Sequence, residues 1–108
     1  MATTYKVLGQ ISSSANTLLT LYTVPTTAAI VSSITVCNRG ATDSSFRIAV
    51  SINNASISNE QYIYYNVPIG PVDTFIATVG LTLSLGDIVR VFSIGNNLSF
   101  QIFGSEIS

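Results

Sequence analysis

Apolar and polar residues alternate with a period of two along most of this chain, the spacing of half-buried β-strands. Runs of this kind cover residues 5–11, 17–24, 29–38, 45–52, 61–67, 73–79, 81–85, 88–94 and 98–103. The pattern places Ile30, Ile34 and Val36 on one face of the third run, with Val31, Ser33, Thr35 and Cys37 on the other. In the fourth it turns Phe46, Ile48, Val50 and Ile52 inward and Arg47, Ala49 and Ser51 outward. Turn residues punctuate the runs: a polar loop at 12–16, Pro25, a turn at 38–43 around Gly40, and a loop at 56–60. Further breaks fall at Pro68-Ile69-Gly70-Pro71, at Gly86-Asp87 and at Gly95-Asn96-Asn97. No stretch keeps a 3.6-residue period over three turns, and no repeat is visible. About eight short strands with turn signals between them predict an antiparallel β-sandwich, either a jelly roll or immunoglobulin-like. At 108 residues the chain suits a single domain, 1–108. A short N-terminal arm at 1–4 and a C-terminal tail at 104–108 flank the strands.

Composition narrows the chemistry sharply. Charged residues make up 8% of the chain, against about 25% in an average soluble domain, and there is no histidine. The four cations Lys6, Arg39, Arg47 and Arg90 are scattered and the net charge is −1, so the sequence predicts neither a nucleic-acid nor an anionic-membrane partner. No window approaches the ~18 consecutive apolar residues of a spanning helix, and residues 1–6 do not read as a secretory signal. Cys37 is the single cysteine and has no histidine to activate it, so it reads as a small buried apolar residue.

The five carboxylates, Asp43, Glu60, Asp73, Asp87 and Glu106, are dispersed, which argues against a glycosidase pair. Asp43 and Asp87 fall at turns, where Asp bonds local backbone. No metal-ligand spacing and no phosphate-binding glycine loop is present, so no metal and no cofactor is expected. Serines lack a base, and the glycosylation-type triplets at Asn54 and Asn97 are unremarkable in a chain rich in Asn, Ser and Thr. The sequence therefore predicts no enzyme.

One segment points to an interaction surface. Tyr62, Ile63, Tyr64 and Tyr65 are consecutive, so a strand through them carries bulk on both faces. Tyrosine suits interfaces because it joins a large apolar ring to a hydroxyl that stays wet. Either one face packs inward while the other meets a partner, or the strand is covered on both sides, or the Tyr rings close the ends of the sandwich. Tyr62, Tyr64 and Tyr65, with Ile57 and Tyr5, are the candidate interface residues. A weakly charged surface also favours self-association, so a homo-oligomer is expected.

Three segments carry a resemblance to a known group: Tyr5-Lys6-Val7-Leu8-Gly9-Gln10, Leu21-Tyr22-Thr23-Val24-Pro25, and Val31 through Gly40. With the closing Leu98-Ser99-Phe100 and Phe103-Gly104-Ser105-Glu106, they look like small virion structural proteins of tailed phages, especially those infecting cyanobacteria. The resemblance covers nearly the whole chain and implies a β-sandwich located in the virion, with no catalytic residues to carry over. It implies a capsid decoration (cement) protein that stabilises contacts between major capsid subunits, the arm or tail reaching a neighbour. The alternative it leaves open is a tail, neck or fibre module contacting other virion proteins or host glycans.

Overall fold

A computed structural model describes residues 2–108. Eight strands form: β1 (Thr3–Ser12), β2 (Thr17–Thr23), β3 (Ala28–Asn38), β4 (Ser44–Ser51), β5 (Tyr62–Ile69), β6 (Thr74–Ser84), β7 (Ile88–Ser93) and β8 (Leu98–Ile107). Two single-turn 3-10 segments, Ile52–Asn54 and Asn59–Gln61, sit between β4 and β5. Each strand of the first half pairs antiparallel with its mirror in the second: β1 with β8, β2 with β7, β3 with β6, β4 with β5. Pairing of β3 with β8 and of β4 with β7 completes two sheets, β1-β8-β3-β6 and β2-β7-β4-β5. One antiparallel ribbon rolled into two facing four-stranded sheets is the jelly roll, which decides between the two expected sandwiches.

The core lies between the sheets. Phe46, Phe100, Ile34, Ile48, Leu98 and Ile102 are fully buried, each contributing about 1.5–3 kcal/mol of transfer free energy. Phe46 packs its ring against Phe75 and Phe100 at centroid distances of 5.1 and 6.4 Å. At one end of the sandwich, buried Asn38 ties two turns together. Its Nδ2 donates to the carbonyls of Thr42 (2.9 Å) and Gly70 (3.0 Å), and its Oδ1 accepts from Gly40 N–H.

Several details depart from strict alternation, most of them at β-bulges, where an extra residue flips the facing of everything beyond it. The β3–β6 and β3–β8 registers shift between Val31 and Ser33. Val31 therefore joins Ile34 and Val36 in the core, and Ile30 points outward, 42% exposed. Cys37 sits half-buried on that outer face instead of in the core. On β4, Ile52 leaves the strand and is exposed, while Ala49 and Ser51 are covered from outside. Arg90 lies over Ser51, its Nε donating to the Ser51 hydroxyl at 2.9 Å.

Runs 73–79 and 81–85 form the single strand β6, because Gly80 and Val79 fit into a bulge against β3. Pro68 and Ile69 continue β5, an edge strand where a missing N–H is tolerated. The expected arm and tail are strand as well. Thr3 pairs with Ile107 and Thr4 with Glu106, so each satisfies the backbone groups of the other. Met1 lies outside the described residues.

Candidate interaction faces

Two bulges in β5 sort the tyrosines. Opposite Arg47 alone, β5 carries both Tyr65 and Asn66, with Asn66 in the left-handed region at φ 52°. A second register shift accommodates Ile63. Tyr64 consequently turns inward and packs edge-on against Phe75 at 5.4 Å. Ile63 lines a cleft of about 400 Å³ with Val50, Leu81 and Leu83, where the open edges of the two sheets face each other. Tyr62 and Tyr65 remain on the outer face of the β2-β7-β4-β5 sheet, their rings perpendicular at 4.9 Å. The strand is therefore not covered on both sides: Tyr64 packs against the core, while Tyr65 is 56% exposed.

On that outer face the aromatics gather around a cation. The Arg47 guanidinium lies 4.2 Å from the Tyr65 ring centroid and 4.7 Å from that of Phe92 on β7, with Tyr62 at 6.0 Å. Arg47 Nε donates to Asn66 Oδ1 at 2.7 Å. Leu18 on β2 pairs with Phe92 and extends the stripe across the sheet.

The other sheet is different in kind. Its four strands contain only two charged residues, Lys6 and Glu106. Neither contributes to the outer face. Glu106 is buried at the sandwich end, where its carboxylate accepts from the Tyr22 hydroxyl at 2.6 Å and pairs with Lys6 Nζ at 2.9 Å. What faces outward is Tyr5 (84% exposed), Val7, Phe103, Ile30 and Ile76 (64% exposed), among Gln10, Gln101, Thr35, Thr78 and Thr82. An outward sheet face in a water-soluble sandwich ordinarily carries polar and charged side chains. This one carries no charge.

Within the buried cluster, the hydrogen bonds from Tyr22 and then Lys6 hold Glu106 below its ordinary value of 4.5. Burial, reinforced by the bond to Glu106, raises the Tyr22 hydroxyl above its ordinary 10. A carboxylate with a depressed folded pKa contributes stability that is complete above its unfolded value and is lost as pH falls through the folded one. The stability difference between wild type and Glu106→Gln should therefore be largest at neutral pH and shrink as the pH drops below about 4.5. Urea denaturation across a pH series measures it; a pH-independent difference would disconnect Glu106 from the acid response.

The remaining predicted residues are less concentrated. Ile57 is half-buried in the β4–β5 loop, and Tyr5 belongs to the uncharged face. Asp87 accepts from the backbone N–H of Asn53 and Ser84 at 2.9 Å each, Asp73 from Thr74 N–H, and Glu60 from the Ser58 hydroxyl. Three residues of the aromatic site escaped the sequence reading: Arg47, Phe92 and Asn66. An outward arginine in an otherwise neutral alternating strand was the available signal. No protein-family model and no curated protein sequence matches the chain.

Proposed function

We propose that this chain is a non-enzymatic structural protein of a phage virion, a decoration protein that binds across adjacent major capsid subunits as a homo-oligomer. The observation that carries the reading is the uncharged outer face of β1-β8-β3-β6. Four strands about 4.8 Å apart, each about ten residues long at ~3.3 Å per residue, span roughly 600 Å². Covering that area on both partners exceeds the ~1,000 Å² that a specific interface requires. The jelly roll is an architecture of viral capsid proteins, and the resemblance of the strand-and-turn segments points the same way. Repetition on a lattice then turns modest single contacts into high occupancy.

Neutral contacts of this kind are insensitive to ionic strength. Binding to particles lacking the protein should change by less than about two-fold between ~0.05 and ~0.5 M salt. A ten-fold fall, or no binding at any salt, would overturn the proposal.

A further inference from the structure

The arginine on the opposite sheet has no counter-charge. Among the described residues the one ion pair is Lys6–Glu106, and Arg47 spends only its Nε on a neutral amide, that of Asn66. Among the described residues, its terminal nitrogens have no hydrogen-bond acceptor. Arg90, diagonal to it through the Arg47–Phe92 pairing, likewise bonds only neutral oxygens, those of Ser51 and Asn54. This face therefore presents two cations and no carboxylate. Beside Arg47, the perpendicular Tyr62 and Tyr65 rings form a corner, and Asn59 closes a hollow of about 460 Å³ against them. Glu60, the nearest acid in sequence, is engaged by Ser58 and lines the cleft at the sheet edges instead.

We propose that this corner binds an acidic saccharide, with Arg47 taking the carboxylate of a sugar acid and the Tyr65 ring the apolar face of its pyranose. The chemistry fits part by part. A guanidinium matches a carboxylate bidentately, and stacking between Tyr65 and Phe92 fixes its plane in advance. Arg47 covers one face of the Tyr65 ring and stands beside the hollow, which Asn59, Tyr62 and Tyr65 line. The uncovered part of that ring, 56% exposed as a residue, supplies the apolar surface that a sugar's C–H face covers. The Asn59 amide offers both a donor and an acceptor to the flanking hydroxyls. An acidic peptide would use the cations but has no need of the perpendicular ring corner. The site lies on the sheet opposite the neutral face, so a particle-bound copy can hold it toward solvent.

The test is calorimetric titration of the purified protein with tetragalacturonate, with a neutral galactose tetramer and with a tetra-aspartate peptide. The acidic sugar should bind at least about ten-fold more tightly than either control. Arg47→Gln and, independently, Tyr65→Ser should each weaken it by about ten-fold or more, with far-ultraviolet circular dichroism unchanged. Equal affinity for the neutral tetramer removes the role of Arg47, and equal affinity for the peptide removes the sugar. No binding to any probe refutes the site. Because no capsid enters the experiment, its failure leaves the attachment proposal standing.

Discussion

Gly104→Ala is expected to cost this protein about 3 kcal/mol or more of its folding stability, an amount comparable to a large part of what a domain of this size possesses. Gly104 lies in β8 between Lys6 of β1 and Val31 of β3, in the interior of the sheet. A Cβ there would run into the Ile30 carbonyl oxygen, with the Ile30 carbonyl carbon and Val31 Cα both 3.0 Å away. These are backbone atoms, held by ladder bonds on both sides of β3, and they cannot swing aside as a side chain can. The close approach falls beside the register shift between Val31 and Ser33 of β3. Relief would require parting the two central strands of the sheet. At about 4–8 °C per kcal/mol, the expected fall in Tm is ten degrees or more. Gly80→Ala is the internal comparison, since nothing lies within 4 Å of its added methyl, and it should shift stability by no more than about 0.5 kcal/mol. Thermal melts of both variants decide the matter. Equal effects would mean that the close approach of β3 and β8 is not what Gly104 serves.

That close approach also shows where sequence reading stops. Alternation located nearly every strand, because a half-buried sheet imposes its period directly on residue type. A bulge adds one residue with no compositional mark, and it is at bulges that most facings changed: Ile30 against Val31, and Tyr62 against Tyr64. Gly80 read as a break because glycine weakens strands, yet here it fits within a continuous β6. The termini read as an arm and a tail outside the strands. Their partners were each other, separated by nearly the whole chain. The mirror pairing that makes the fold a jelly roll was likewise illegible, since no local signal states which strand meets which. Scarcity of charge was legible from the start, but its distribution was not. Only the registers show that one sheet turns Lys6 and Glu106 inward while the other carries Arg47 and Arg90 outside.

The second large effect belongs to that uneven distribution. Ile30 faces outward on β3, an inner strand of the neutral face, near the end of the sheet where Thr82 on β6 and Ser105 on β8 flank it. In the free protein, Ile30→Lys places a flexible cation in water and should change folding stability by no more than about 1 kcal/mol. Under the proposed attachment through this neutral face, the same ammonium would lose its water on a face that itself carries no carboxylate, a penalty of several kcal/mol. Affinity per copy should fall about 100-fold or more. Leu85→Lys adds the same charge in the β6–β7 turn, off the face, and isolates position from net charge.

The decisive measurement is the occupancy of decoration-free particles by wild type, Ile30→Lys and Leu85→Lys, titrated side by side after equal melting curves have been confirmed. The account predicts saturation by wild type and Leu85→Lys at the same concentration, and bare particles with Ile30→Lys. Full occupancy by Ile30→Lys would contradict it.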